Sequence, residues 1–354
     1  MLSSRDLYAL SRDNNRTDAI MLPPAPFVKF ARPTWESNEA DSMRPPALPG
    51  IWREEFDNIN FTNWAWDDEV FKGGFFVRSV DPSSYNLNFP RTGMDGLYFY
   101  LDIAGVDPST LNWPPVTHGG ITATVSFVPP YSRDNYNLNA WEFLGGIKVK
   151  LRGPAATKDQ VLSSAPASVT LPTLPQTFEI VGYDSDGKAV IKYGFELQKW
   201  FVFRKCYGYD GCYMTVDGNR VALGQKEHAD WCDSIGYRVP AIEELTNAQC
   251  EDNPWGYDPW YHANFPCNLG IDSATPHSPN EFAQRNIGPF ISEWGYLRFA
   301  GCGSRCNDEY VWTSDSLTTT RGRRFYFVVA PEGNVTYGRS FENDSWVTAL
   351  CVNP

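Results

Sequence analysis

The sequence lacks a surplus of positive charge. Its 354 residues contain 30 Lys and Arg against 42 Asp and Glu, which gives a net charge of −12. A protein that binds nucleic acid generally needs a basic surface to displace the counterions of the phosphates. Docking on an anionic lipid surface needs one too. The composition therefore argues against a nucleic-acid partner and against a lipid-surface protein.

The sequence also lacks a long apolar run. A membrane-spanning helix needs about 20 apolar residues, and one of the most apolar runs here is the six-residue segment Phe325–Ala330. The start of the chain, Met1–Asp6, has no basic stretch followed by an apolar run, which a signal peptide would show. The cysteines nevertheless look like those of an exported protein. We therefore expect the sequence to be part of a longer exported protein, with no membrane insertion by this part and any anchor elsewhere.

Catalytic motifs are missing as well. The sequence has no Gly-x-Ser-x-Gly, no phosphate-binding Gly-x-x-x-x-Gly-Lys and no His-Glu-x-x-His. Among its acidic residues no pair stands out as glycosidase carboxylates. Each of the four histidines could act as a general base, although His228 lies in a helical segment and is more typical of a surface or packing residue. We predict a protein that is not an enzyme and has no cofactor.

Cysteine is absent from residues 1–205. The eight cysteines are Cys206, Cys212, Cys232, Cys250, Cys267, Cys302, Cys306 and Cys351. An even number in a loop-rich module is typical of disulfides, and eight cysteines allow 105 pairings. Short loops favour Cys206–Cys212, Cys250–Cys267 and Cys302–Cys306, which leaves Cys232–Cys351. Zinc is the alternative, but structural zinc sites favour closer Cys pairs than these, and we predict no metal.

This distribution predicts three parts. Residues 1–50 carry seven prolines between positions 23 and 49, which excludes a regular helix or a central strand. They are expected to form an extended arm or linker. Residues 51–204 are predicted to form an Ig-like β-sandwich, with a boundary near Arg204, because short strand-like runs alternate with turn signals such as Asp184–Gly187. The runs are Gly74–Val80, Gly96–Ile103, Ile121–Phe127, Glu142–Leu151, Phe178–Tyr183, Ala189–Phe195 and Lys199–Phe203.

Residues 205–354 have a mixed pattern. Lys226–Ile235 places Ala229, Cys232 and Ile235 on one helical face, and Gly236 is a helix stop. A second helix is predicted at residues 241–246, directly after Pro240. A long stretch rich in aromatic residues, Pro and Asn follows. Four strands are then predicted: Tyr310–Ser314, Arg324–Val329, Val335–Arg339 and Thr348–Val352.

The order of these pieces resembles a C-type lectin-like domain. Cys232, then Gly-Tyr-Arg-Val-Pro at residues 236–240, Glu244-Leu245, the strand motif at residues 311–314 and a final Cys351-Val352 follow one another. More narrowly, this pattern resembles the tip domain of the intimin/invasin family of bacterial outer-membrane adhesins. In that family Ig-like repeats precede the tip. The resemblance implies a mainly β chain, an Ig-like β-sandwich followed by a disulfide-rich α+β C-type lectin-like domain.

Two relatives of this fold have other functions. Sugar-binding C-type lectins hold calcium with a Glu-Pro-Asn or Gln-Pro-Asp loop. Ser278-Pro279-Asn280 matches this motif only in part, because it lacks the first Glu or Gln. Asn343-Asp344 lies too close to Cys351 to match their calcium-binding strand. The formylglycine-generating enzyme family shares a similar Gly-x-Arg stretch, but residues 241–244 fit its pattern poorly. Neither calcium nor copper is therefore expected.

Aromatic residues make up 15% of the chain, and one cluster of them falls in the candidate Cys250–Cys267 loop. Loops on a rigid scaffold commonly carry recognition, and Trp and Tyr dominate binding hot spots. The alternative is that these rings pack beneath their own loop. The candidate ligand-binding residues are Trp255, Tyr257, Asp258, Trp260 and Tyr261, with Arg298 and Arg305 as polar rim contacts.

The resemblance implies noncovalent binding of a protein receptor on a host or neighbouring cell. It also implies a bacterial cell-surface location, outer-membrane anchoring through a part not present here, and a monomer. Two alternatives remain: a calcium-independent lectin that stacks a sugar on Trp255 or Trp260, and a phage or toxin receptor-binding module. Because Lys199–Phe203 runs into Cys206 without a linker, we predict a rigid rod that resists proteolysis between residues 200 and 210.

Overall fold

The structure is a computed structural model. It describes residues 25–35, 64–65, 74–129, 146–204, 213–216, 219–250, 267, 270–279, 281–295, 310–318, 322, 324–331, 333–337 and 347–354. None of its helices in these ranges is long and apolar enough to cross a membrane.

The described chain is mostly β-strand. The strands are β1 (Phe27–Trp35), β2 (Trp64–Ala65), β3 (Gly74–Phe76), β4 (Thr92–Met94), β5 (Leu97–Ala104), β6 (Val116–His118), β7 (Ile121–Val128), β8 (Gly146–Arg152), β9 (Gln176–Tyr183), β10 (Ala189–Leu197), β11 (Lys199–Arg204), β12 (Tyr213–Val216), β13 (Asn219–Ala222), β14 (Tyr310–Thr318), β15 (Arg324–Val329), β16 (Val335–Tyr337) and β17 (Val347–Val352). The α-helices are α1 (Lys158–Leu162), α2 (Gln225–Ser234), α3 (Ile242–Leu245) and α4 (Phe290–Trp294).

The first sheet has seven strands in the order β2-β3-β1-β5-β8-β7-β6. Alternation along β5 places Leu97, Phe99 and Leu101 in the core, as expected for a strand with one buried face. The β9–β10 hairpin covers that face, where the ring of Phe195 meets Phe99 edge-on at 5.8 Å and stacks on Phe178 at 5.2 Å. The mainly β fold class predicted from the sequence is confirmed.

The proline-rich segment contains a strand that the sequence analysis excluded. β1 lies between β3 and β5, so the expectation that residues 1–50 hold no central strand is wrong. Only Phe30 and Ala31 pair with β3, whereas β1 pairs with β5 along its length. Pro33 therefore lies beyond the β3 pairing, where the strand is paired on one side and the missing proline N–H is tolerated.

The turn predicted at Asp184–Gly187 connects the antiparallel strands β9 and β10. Asp184 Oδ1 accepts hydrogen bonds from the N–H groups of Asp186 (3.0 Å) and Lys188 (2.8 Å). Gly187 has φ +78°, which side chains disfavour. The predicted turn is confirmed, and its hydrogen bonds occupy Oδ1 of the Asp184 carboxylate.

The second large sheet has six strands in the order β16-β15-β14-β17-β11-β4. β11 was expected among the sandwich strands, but it pairs antiparallel with the final strand β17 and parallel with β4. The sheet thus contains strands from both sides of position 204. The boundary near Arg204 stays a prediction, and the chain on both sides of it shares one continuous hydrophobic core.

The two predicted helices of the C-terminal part are present. α2 spans Gln225–Ser234, and Gly236 follows with φ +86°, as expected for a residue that ends a helix. Cys232 and Ile235 are fully buried on its inner face, with Ala229 packed against the core. α3 begins two residues after Pro240. The spacing of the buried residues predicted α2, whereas α3, in which Ile242, Glu244 and Leu245 are buried, was predicted from its position after Pro240.

Candidate functional site

The segment that carries the family resemblance is built around one buried carboxylate. Glu244 is 5% exposed and receives two hydrogen bonds from the guanidinium of Arg238, at 2.6 and 2.7 Å. Lys199 Nζ on β11 donates at 2.8 Å, and the backbone N–H of Ala241 donates at 2.9 Å. Burial by itself raises the pKa of Glu244, but these donors outweigh it and lower the pKa to about 2.

Glu244→Gln is expected to remove an acid-sensitive part of the stability. Because the pKa of Glu244 is lower in the folded chain than in the unfolded chain, its contribution is present above pH 4.5 and is lost as the pH falls toward 2. We expect the variant to lose about 3 kcal/mol of unfolding free energy at pH 7. Denaturant unfolding at pH 7 and pH 3 measures this. An equal deficit at both pH values would contradict the assignment.

Two of the expected disulfides are present. Cys232 on α2 is joined to Cys351 on β17, with Cα atoms 5.6 Å apart, and Cys250 is joined to Cys267, with Cα atoms 4.9 Å apart. These four thiols are therefore not available to zinc. The second bridge closes the segment that contains the aromatic cluster. The remaining cysteines, Cys206, Cys212, Cys302 and Cys306, lie outside the described residues.

Asn247, which we call the loop base, lies close in sequence to Cys250, the first cysteine of this bridge. It lies three residues before Cys250 and is 1% exposed. Its Nδ2 donates to Pro276 O at 3.1 Å. Its Oδ1 accepts from Gln284 N at 3.0 Å and from Ser292 Oγ at 2.9 Å. One side chain therefore joins three separate segments, which fixes the start of the loop relative to the chain that follows it.

Asn247→Ala is expected to destabilise the fold by about 3 kcal/mol, because it leaves Ser292 Oγ, Gln284 N and Pro276 O without this partner in a buried site. Chemical denaturation measures the loss. Thr124→Ala, at an exposed position on β7, is the control and should change stability by less than about 0.5 kcal/mol. A loss for Asn247→Ala as small as that of the control would contradict the assigned role.

A serine, a histidine and an aspartate meet beside this base. Ser273 Oγ lies 3.1 Å from His277 Nδ1, and His277 Nε2 lies 3.7 Å from Asp272 Oδ1. The set has the composition of a hydrolase triad, but Ser273 is 4% exposed and its hydroxyl donates to Ala248 O at 2.6 Å. A nucleophile must reach substrate and give its proton to the histidine. These contacts instead stabilise the segment around Ser273 and His277, which follows Cys267 in the sequence.

The sequence predicts that His228 is a surface or a packing residue, and the structure shows that it is a packing residue. It is fully buried on α2. Burial, together with the nearby charge of Arg204, lowers the pKa of His228 well below its usual value, so the ring is neutral. A ring closed off from solvent has no route to a substrate proton.

Helix α4 ties the C-terminal part to the sandwich. Glu293 is fully buried, and it accepts hydrogen bonds from Arg91 N at 2.5 Å, from Thr92 N at 2.9 Å and from the Thr92 hydroxyl. Trp294 Nε1 donates to Thr92 O at 3.2 Å. β4, which begins at Thr92, also pairs with β11. These contacts support the predicted rigid junction.

A second contact surface between the two parts lies beneath α2. Trp231 Nε1 donates to Gln160 O at 2.9 Å, and Tyr237 Oη donates to Thr170 O at 3.0 Å. Trp231 is 1% exposed, and the guanidinium of Arg204 lies 5.0 Å from its ring centre. The C-terminal part, which contains the loop base, therefore contacts the sandwich at two places: at α4 and at α2.

The seven ligand-binding candidates lie outside the described residues: Trp255, Tyr257, Asp258, Trp260, Tyr261, Arg298 and Arg305. Their role stays a prediction. Sequence reasoning missed Asn247 and Glu293, whose partners lie 29 to 202 residues away along the chain. A polar residue next to buried positions, as in Thr246-Asn247-Ala248 and Ser292-Glu293-Trp294, is the signal that could have marked them.

Comparison with known proteins adds a structural likeness. No family model and no curated protein matches the sequence. The solved structures that match are those of invasin and intimin. The chain is 13% identical to invasin, described as a bacterial integrin-binding protein, with a TM-score of 0.34 over 76% of this chain and 36% of that one.

Two intimin structures also match. One is a C-terminal 282-residue fragment in complex with the intimin-binding domain of the translocated intimin receptor, at 10% identity and a TM-score of 0.38, covering 83% of this chain and 65% of that one. The other is an intimin mutant from EHEC O157:H7, at 13% identity and a TM-score of 0.30, covering 82% of this chain and 94% of that one. The chain thus spans about a third of the invasin chain and two thirds of the intimin fragment.

Proposed function

We propose that the chain is the receptor-binding part of a bacterial surface adhesin, which binds a protein on a host or neighbouring cell without making or breaking a covalent bond. The observation that carries the proposal is the Cys250–Cys267 bridge, which closes an aromatic-rich loop on the buried Asn247 base. A loop held at both ends loses less conformational entropy on binding than an open one. The loop residues are the proposed contact surface.

The composition of the loop suits a protein partner. Trp255, Tyr257, Trp260 and Tyr261 offer large contact areas with few rotatable bonds, and such residues dominate binding hot spots. Asp258 lies among them and can accept hydrogen bonds at the rim. Arg298 and Arg305 would extend this rim. The two bridges fit an oxidising location outside the cytoplasm, as on a cell surface.

The junction between the sandwich and the C-terminal part suits a receptor-binding protein whose anchor lies far from its binding surface. Both the Glu293 contacts with Arg91 and Thr92 and the Trp231 contact with Gln160 hold the loop base against the sandwich. A stiff junction transmits force and presents the loop in one orientation. We propose that the sandwich serves as a stalk, and that anchoring in the outer membrane is provided by a part outside this sequence.

Binding to enzymatically treated cells shows whether the receptor is a protein or a glycan. The fluorescently labelled chain is added to cultured animal cells and to bacterial cells, with one sample of each treated with trypsin and another with glycosidases. We expect binding that trypsin abolishes and glycosidases leave intact. Binding lost with glycosidases, together with hits on a glycan array, would contradict the proposal in favour of a lectin.

The oligomeric state distinguishes the adhesin hypothesis from the phage receptor-binding alternative. Light scattering of the purified chain is expected to give a mass near the 40.0 kDa of one chain. A stable trimer would contradict the monomeric adhesin and favour a phage receptor-binding protein.

A further inference from the structure

Glu293 occupies an unusual position for a carboxyl group. Its side chain is fully shielded from solvent at the contact between α4 and the start of β4. The groups that donate to it are two backbone N–H groups and one hydroxyl, all of them uncharged. Neutral donors replace only part of the hydration that a carboxylate loses on burial.

The charged side chains near Glu293 donate their hydrogen bonds to other acceptors, and the charge of Arg91 acts on Glu293 only through space, where it lowers the pKa. The Arg91 guanidinium on the facing segment donates to Gln198 Oε1, and Lys199 on β11 donates to Glu244. Arg285, on the segment before α4, directs Nη1 to the backbone carbonyl of Glu293 at 3.4 Å, not to its carboxylate. The Tyr193 hydroxyl on β10 donates to Phe89 O. No guanidinium or ammonium group among these forms a hydrogen bond with the carboxylate.

We propose that Glu293 is a proton-sensitive joint between the two parts of the chain, which holds them together more tightly when its carboxyl group is protonated than when it is charged. In the charged state the Thr92 hydroxyl donates to Glu293 Oε2, and in the protonated state the carboxyl group can donate to this hydroxyl instead. Both backbone N–H groups keep oxygen partners in either state. Mild acid therefore tightens the junction.

The direction follows from the balance of burial and hydrogen bonding. Burial raises the pKa of Glu293 to about 7, against the lowering effect of the bonds from Thr92 and Arg91. In an opened junction the group is solvated and its pKa returns to about 4.5. Stability from a raised pKa is fully present below 4.5 and is lost as the pH rises through 7.

The helix that contains Glu293 also contacts the loop base, Asn247. Ser292, the residue before Glu293, donates to Asn247 Oδ1 and accepts from Asn247 N at 3.1 Å. Opening of α4 would therefore disturb both contacts together. The proposed joint lies at the junction and acts whether or not a receptor is bound.

Hydrogen exchange measured by mass spectrometry tests the joint. After correction for intrinsic rates, the opening constant of peptides covering residues 89–95 and 286–296 is expected to be roughly 25-fold smaller at pH 5.5 than at pH 8 in the intact chain. The peptide covering β8 is the internal reference and should change less. A pH-independent opening constant, or one that grows in acid, would overturn the proposal.

Two variants identify the group. Glu293→Gln removes the titrating proton, so the opening constant should become independent of pH between 5.5 and 8. Thr92→Val removes the hydroxyl that donates to Glu293 and that accepts from Trp294 Nε1 at 3.1 Å. Trp294 Nε1 keeps its bond to Thr92 O, and the transition should move to higher pH. Thr92→Val keeps the proposal testable if Glu293→Gln fails to fold. An unchanged transition in Thr92→Val, or a pH dependence that persists in Glu293→Gln, would overturn it.

Discussion

Replacing Cys232 and Cys351 with serine is expected to lower the free energy of unfolding by about 4 to 5 kcal/mol. The bridge closes 119 residues, and the chain-entropy model assigns about 4.7 kcal/mol to a loop of 100 residues. Both cysteines are fully buried, and the bridge links α2 to the final strand of the sheet. Guanidinium unfolding of the oxidised protein and of the double variant measures the loss.

The second bridge provides the matched control. Serine at both Cys250 and Cys267 opens a loop of only 17 residues, so the same model predicts a loss of about 3 kcal/mol. Cys267 is also exposed, so its removal leaves no cavity in the core. A larger loss for this pair than for Cys232 and Cys351 would contradict the assigned roles, in which the first bridge stabilises the fold and the second shapes the loop.

Alanine at both Trp255 and Trp260 is expected to weaken cell binding by 100-fold or more, while the melting temperature stays within a few degrees of the parent. Truncating one hot-spot aromatic residue costs roughly 2 to 4 kcal/mol of binding free energy, and each 1.4 kcal/mol is a factor of ten in affinity. Saturation binding of labelled protein to cells measures the affinity, and thermal unfolding reports the fold.

Phe127→Ala is the control for this experiment. Phe127 lies on β7 of the sandwich, is 38% exposed and belongs to the same class of side chain. It should leave binding unchanged. Equal weakening by Phe127→Ala would assign binding to the sandwich. A large fall in melting temperature for the Trp variants with unchanged affinity would mean that these rings pack beneath their own loop.

Local patterns predicted part of this fold well. α2 was readable from the spacing of Ala229, Cys232 and Ile235 with a glycine stop, and the β9–β10 turn was readable from Asp184 and Gly187. Both depend on residues close together in the chain. The sandwich strands were found because alternation along a half-buried strand is also local.

Long-range pairing accounts for what sequence reasoning missed. Proline content placed Phe27–Trp35 outside the sheet, but the pairing of β1 with β5 along its length outweighs the one missing N–H at Pro33. β11 looked like a last sandwich strand, and its partners β4 and β17 decide its place. The Asn247 base depends on contacts up to 45 residues away. Patterns within a short stretch of sequence cannot reveal contacts between residues so far apart in the chain.

Site-specific photo-crosslinking tests the central claim most directly. A photoreactive amino acid replaces Tyr257 in the loop, or Thr124 on the exposed face of β7 as the control, and each protein is irradiated on the cells that it binds. We expect a covalent adduct with one cell-surface protein from position 257 and none from position 124. An adduct formed only from position 124 would contradict recognition by the disulfide-closed loop.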